Sequence, residues 1–307
     1  MTVAHAEPLG HAGSLYGGEV AFRIGVHTIR FRSPDPAVRF FVHEAHEPFL
    51  VDASAAVDCE VNWVVDEVRP SDAPVVREAG ARWELRRLPN GIEEFAFRST
   101  EANVPTLLLR MSADMCSASV VQAPRPGTDG IVFASEYPWS EFIICRLLGR
   151  DGGLLVHASS VVFDEGAILF VGHSGAGKST IAAIAEECGG VVLSDDRTIV
   201  TVEDNQALAW GTPWHGTFAR GASASVPVRA WYMLVQADGD SIERVPMSRG
   251  LKELFVRLIQ PRITGTEVGR TMDALTAALR VCPLRILRFR PTSAAVALAR
   301  AEAVFGS

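Results

Sequence analysis

Eight consecutive residues, Gly172-His173-Ser174-Gly175-Ala176-Gly177-Lys178-Ser179, fit the spacing G-x-x-x-x-G-K-[S/T] without a mismatch, and Thr180 follows. Those residue types at that spacing suit a triphosphate tail. Glycines let backbone N–H groups turn inward and approach phosphate oxygens, and a helix opening near Lys178 and Ser179 adds the positive end of its dipole. Lys178 is placed for the β- and γ-phosphates and the Ser179 hydroxyl for Mg²⁺. Lysine is scarce here: of 29 Lys plus Arg, only Lys178 and Lys252 are lysine. Where arginine suffices the chain uses arginine, and a planar guanidinium is a poor substitute for a compact ammonium inside such a loop.

A second group follows closely. Val191-Val192-Leu193-Ser194-Asp195-Asp196 reads as a buried strand ending in two acids, sixteen and seventeen positions after Ser179. One acid can coordinate Mg²⁺, directly or through water, and the other can accept a proton from an attacking hydroxyl. The bland alternative is an exposed turn opening a hairpin into residues 198–202. His43-Glu44-Ala45-His46 superficially suggests zinc, but a helical zinc-protease site needs histidines four apart and these are three apart.

These groups need positioning. Two apolar runs, Leu154 to Phe163 and Ala167 to Val171, joined by Asp164-Glu165-Gly166, predict a hairpin feeding the loop. Beyond the loop, Ile181 to Glu187 reads as a helix stopped by Gly189-Gly190. A helix is expected near 138–148, strands at 231–235 and 284–289, and a terminal helix at 293–304. Ser248 is expected to cap a helix carrying Leu251, Leu254, Phe255 and Leu258, with Arg249 and Lys252 near its start. Arg262 and Arg270 flank Thr264-Gly265-Thr266, a loop able to close over a phosphate, where either arginine can stabilise transferring charge. The first 135 residues read as strands and turns: Phe22, Ile24 and Val26 alternate, Ile29 to Arg32 continue the period, and Pro89-Asn90-Gly91 predicts a hairpin. Two domains are expected, a β-rich one over 1–135, a natural place for substrate selection, and a catalytic one over 136–307.

Composition excludes several classes. With 307 residues, 48% apolar and 21% charged, the chain is a folded protein rather than a disordered or fibrous one. A formal charge of −7 argues against general nucleic-acid binding, although residues 241–300 hold eleven basic against four acidic residues, so an anion would prefer that end. Five dispersed cysteines without a Cys-x-x-Cys pair suggest reduced thiols. With no apolar run of membrane-spanning length and no secretory pattern, a cytoplasmic protein without membrane attachment is expected. No Asn-Lys-x-Asp supports a GTPase, and no Leu-Ser-Gly-Gly supports a transporter ATPase.

His157-Ala158 on the strand before the loop, the loop Gly172 to Ser179, and Asp195-Asp196 after it resemble the core of HPr kinase/phosphorylase, a family that shares its fold with phosphoenolpyruvate carboxykinase. The resemblance covers roughly residues 150–300. It implies an α/β (α+β mixed) chain with a P-loop kinase core, ATP and Mg²⁺ as cofactors, and serine-kinase activity on a hydroxyl, either a serine of a protein or peptide or a small molecule. By the same resemblance His157 stands beside the phosphates, Asp195 is the base and Asp196 the metal-side acid, with the two acid roles open to exchange. It also suggests a homo-oligomer. One departure matters: the family's metal-binding Glu has no counterpart in Trp210-Gly211-Thr212-Pro213-Trp214-His215-Gly216, where Trp214 or His215 either faces a ligand or forms a buried turn. The alternative expectation is therefore a silent nucleotide-binding regulatory module.

Overall fold

The structure, a computed structural model, describes residues 4–6, 12–79, 82–99, 104–128, 130–136, 138–216, 221–259 and 265–305. The chain is a mixed α/β protein that divides into two compact units, Met1–Ser140 and Glu141–Ser307.

The first unit holds a four-stranded and a nine-stranded sheet among its described residues. Its core is aromatic: Phe31 and Phe40 meet Trp63 edge-on, with ring centroids 6.0 and 6.4 Å away. The Pro89-Asn90-Gly91 turn joins strands Trp83–Arg87 and Glu93–Arg98, and Asn90 and Gly91 adopt the positive φ angles (64° and 74°) that it demands. One expectation fails here. Val26 does not continue the alternation of Phe22 and Ile24, because strand Glu19–Ile24 ends before it and Val26 lies in the turn to His27–Arg32. The run of alternating residues is two antiparallel strands, with Ile24 opposite His27.

In the second unit the elements are α1 (Trp139–Asp151, whose first turn crosses the unit division), β1 (Leu154–Phe163), β2 (Gly166–Val171), α2 (Lys178–Glu187), β3 (Val191–Ser194), β4 (Arg197–Glu203), β5 (Gln206–Trp210), β6 (Ser225–Gln236), β7 (Ser241–Arg244), α3 (Met247–Phe255), α4 (Gly265–Val281), β8 (Leu284–Phe289) and α5 (Ser293–Phe305). The sheet runs β2-β1-β4-β5-β6-β8-β7, β3 adds to β1, and β2 also pairs with β6. Strands β2, β6 and β8 are mutually parallel neighbours. Being covered on both faces, they are nearly continuous apolar runs. Ile168 and Phe170 face α2 and α5, while Leu169 and Val171 pack with Leu254, Leu275 and Leu279 of α3 and α4. The loop emerges from the end of β2, which is paired on one side with β1 and on the other with β6.

Helix α2 ends as its sequence indicates. Gly189 takes φ 86°, and the N–H groups of Gly189 and Gly190 donate to the carbonyls of Glu186 and Ala185, consuming two otherwise orphaned acceptors. Helix α3 departs from expectation at both ends. Pro246, in extended conformation, is its N-cap, so Ser248 is already inside the helix. Leu258 lies beyond the last turn, where it bridges to Val156 of β1. The second error has a simple cause: an apolar residue at helical spacing satisfies the pattern whether helix or strand edge buries it.

Candidate functional site

The loop crosses from Val171 to Lys178 in a tight turn closed by the Ala176 N–H donating to the His173 carbonyl (3.1 Å). Gly175 and Gly177 have φ of 80° and 98°, and a Cβ at Gly177 would stand 3.0 Å from the Phe289 ring. Any other residue there is strained and crowded. The Lys178 side chain folds back under the loop, 7% exposed, and its ammonium donates to the carbonyls of Gly172 (3.2 Å) and His173 (3.3 Å). Burial lowers its pKa; Asp196 and Asp195 oppose that shift, and Arg257 adds to it. Ser179 is half-buried in the first turn of α2 and Thr180 is exposed beside it; His173 and Ser174 form the exposed rim.

The two acids occupy the connection between β3 and β4, both of which pair with β1. That pairing brings them to His157, which stands opposite Arg197. The Ala158 N–H donates to the Asp196 carbonyl (3.1 Å), fixing the turn against β1. His157 Nε2 then lies 2.9 Å from Asp196 Oδ1. The other Asp196 oxygen accepts from Arg197, whose Nε donates to Glu141 in the first turn of α1. Burial pushes the Asp196 pKa up, but the His157 hydrogen bond and the charges of Arg197, His157 and Lys178 outweigh it, leaving the carboxyl below its ordinary range. For Glu141, burial dominates and Arg197 opposes it only in part, so its pKa is raised.

Asp195 is placed differently. It is 1% exposed, and both of its carboxylate oxygens accept from the Gly216 N–H, at 3.0 and 3.1 Å. The segment that lacks the family's Glu thus runs directly against Asp195. Thr212 ties it down by donating to the Arg197 carbonyl (2.6 Å). Trp214, 4% exposed, belongs to a buried turn, while His215 is half-buried.

Two clefts border the loop. One, of about 410 Å³, lies between His173, Gly175 and Ala176 and the α3 side, where Arg249 and Arg257 line it. The second, of about 560 Å³, opens beside Gly177 and Thr180 against Asp238, Phe289 and Arg290. Of the other arginines considered from sequence, Arg270 is exposed on α4, and Arg262 and Thr264 lie outside the described residues. Arg249 pairs with Glu243 (3.2 Å) and Arg257 with Glu253 (2.9 Å).

Sequence reasoning missed Glu141, Arg197 and Arg257. Arg197 follows the acids directly and was within reach of inspection. Glu141 is 56 residues from Arg197 and carries no local signal.

Among the described residues no group of three or more His, Cys, Asp or Glu is arranged to hold a metal. A helix-start hydroxyl and a carboxylate are donor types that Mg²⁺ accepts, since it takes one or two protein ligands and completes its octahedron with phosphate oxygens and water.

A family model described as "SynChlorMet cassette protein ScmC" matches residues 132–255, less than half of the chain but including His157, the loop and both acids. No curated protein matches the sequence. Among solved structures, the Hpr(Ser) kinase/phosphatase from Coxiella burnetii is similar with 18% identity, over 30% of this chain and 77% of that one, at a TM-score of 0.23. At that score the likeness bears on neither function nor site. No described helix is long and apolar enough to cross a membrane, and none of the five cysteines is in a disulfide.

Proposed function

We propose that the second unit is an ATP-dependent phosphotransferase with an HPr-kinase-like core, acting in the cytosol on a hydroxyl of a protein, peptide or small molecule. The observation that carries this reading is the convergence of the Lys178 ammonium, Asp196 and His157 at the mouth of the glycine loop. The backbone of Gly172 to Ser179 and the Lys178 ammonium bind the β- and γ-phosphates, with Thr180 at the rim of the nucleotide cleft. A Mg²⁺ ion bound there would neutralise charge at the phosphates, held by Ser179 and, through water, by the acid pair.

Exposure supports one order of the two acid roles. Asp196, 22% exposed in its side chain, can meet an acceptor, whereas Asp195 is sealed beneath Gly216. Asp196 therefore takes the acceptor's proton, steered by His157, and Asp195 holds the 211–216 segment and reaches a metal only through water. The bond from the γ-phosphorus to the bridging oxygen breaks, a bond to the acceptor oxygen forms, the leaving oxygen departs on ADP, and the proton ends on Asp196. A depressed carboxylate pKa is tolerable because the transition state is loose and proton transfer can follow bond formation.

The test is incubation of the full chain with γ-labelled ATP, Mg²⁺ and candidate acceptors, beside Asp196→Asn. Label transferred by the native chain and lost in the variant supports the reading. Tight nucleotide binding with no transfer to any acceptor, and no difference between the chains, supports the second reading, a silent nucleotide-binding regulator. What favours that alternative is the absence of a carboxylate from residues 210–216. Neither reading involves nucleic acid or membrane, and a homo-oligomer is compatible with both.

A further inference from the structure

The Asp196–His157 pair is the inner end of a longer chain of charges. Arg197 stands between two carboxylates, donating to Asp196 through Nη1 and to Glu141 through Nε. Glu141 is 8% exposed in its side chain and Arg197 21%, so neither bond is a solvated surface pair. The fold invests in this arrangement. Glu141 is the first-turn acid of α1, where a helix dipole favours negative charge, and α1 is itself fastened to α4 by the buried Arg146–Glu267 ion pair.

The charge balance explains what such an arrangement does. Asp196 and Glu141 bring two negative charges, and Arg197 and the nearby Lys178 bring two positive ones. When Lys178 engages phosphates, its charge is spent on them. If Arg197 belonged to Asp196 alone, it would then hold that carboxylate in a closed pair, unable to turn toward an acceptor or a metal. With Glu141 on its other edge, the guanidinium is shared and its plane is fixed. One Asp196 oxygen stays on His157, and the acid keeps negative charge for chemistry.

We infer that Glu141 is a positioning residue of the transfer site: by sharing and orienting Arg197, it keeps Asp196 paired with His157 and available to the reacting atoms. This rests on the phosphotransferase reading in its kinetic consequences but not in its geometric ones. Glu141 touches neither substrate nor metal.

The experiment uses the full chain and the variants Glu141→Gln and Glu141→Asp, read in two ways. In steady-state transfer, Glu141→Gln is expected to lower kcat at least tenfold while KM for ATP and the calorimetric Kd stay within threefold; Glu141→Asp, which keeps the charge, recovers part of the loss. An unchanged kcat, or a KM that rises in proportion to the loss, overturns the inference, since a merely structural residue damages binding and turnover together. In crystal structures of the native chain and the Gln variant, Arg197 is expected to turn wholly onto Asp196 and the Asp196–His157 separation to open from 2.9 Å to beyond hydrogen-bond reach. An unmoved pair refutes the inference. If Glu141→Gln does not fold, Glu141→Asp carries both measurements: a measurable fall in kcat at constant Kd, with a shifted Arg197, supports the idea, and native behaviour in both refutes it. A native chain that transfers nothing sinks the phosphotransferase reading instead, and the crystallographic comparison then decides the role of Glu141 alone.

Discussion

Two stretches of this chain carry histidines and acids close together, and they use them in opposite ways. In the first unit, Glu44–Phe49 forms a short 3-10 turn. His46 is buried with Nδ1 2.7 Å from the Ser135 hydroxyl, His43 Nδ1 accepts from the Ala45 N–H at 3.1 Å, and Glu47 accepts from the Ser14 hydroxyl at 2.7 Å. Each of these side chains has an internal partner at good distance. In the second unit, Lys178 rests on two carbonyls at 3.2 and 3.3 Å, and Asp196 and His157 are each more than one-fifth exposed. Residue type does not separate the two regions. What separates them is whether hydrogen-bonding capacity is consumed inside the fold or left partly exposed.

The largest expected effect is at Lys178. Lys178→Ala should cut ATP affinity at least 100-fold in calorimetry, because a buried ammonium on the phosphates has no replacement. His46→Ala should leave ATP affinity within twofold but lower stability by about 1–3 kcal/mol in urea unfolding, since it strands the Ser135 hydroxyl in the core. If the two variants behaved alike, the distinction between spent and open groups would fail.

Next are the adjacent acids, which sharpen the same contrast within one turn. Asp196→Asn should reduce transfer about 100-fold with nucleotide Kd nearly unchanged. Asp195→Asn, which weakens acceptance from the Gly216 N–H, should lose about tenfold and also unfold more readily. Equal kinetic losses with equal stability would mean that exposure does not assign their roles.

Both regions test how far a sequence can be read. The loop, the hairpin that feeds it and the stop of α2 were legible because each depends on residues a few positions apart: Gly177 needs its φ of 98° and Gly189 its φ of 86° for local reasons. The paired acids were legible for the same reason, as an apolar strand ending in Asp195 and Asp196. The partition between them was not, because it depends on Gly216, 21 residues away, and on β1 pairing with both β3 and β4. In the first unit, strand Cys59–Val65 lies parallel to both His27–Arg32 and Ser117–Gln122, an order that no local pattern specifies. Leu258 and Ser248 show the complementary failure, in which local spacing is satisfied and tertiary context decides otherwise.

A smaller effect should appear at Gly177. Gly177→Ala places a Cβ in left-handed backbone and against Phe289, and should cost about 1–2 kcal/mol of stability, measured by denaturant unfolding. The equivalent change at Gly17, where the added Cβ would have nothing within 4 Å, should be nearly silent. A neutral Gly177→Ala would mean that the cradle can relax without its glycine.

The smallest effect is in acid. The Asp196 carboxyl lies below its ordinary value of 3.8 in the folded chain, chiefly because His157, Arg197 and Lys178 outweigh burial. A group depressed by folding contributes stability that is complete above its unfolded value and drains away as the pH falls through the folded one. The melting temperature of the native chain should therefore exceed that of Asp196→Asn at pH 6, and the gap should narrow by pH 3. Partial exposure screens the charges, so a shift of a few degrees at most is expected. A gap of constant size across that range would place the cost of the substitution in packing rather than charge, and with it the claim that Asp196 keeps negative charge available at the loop would fall.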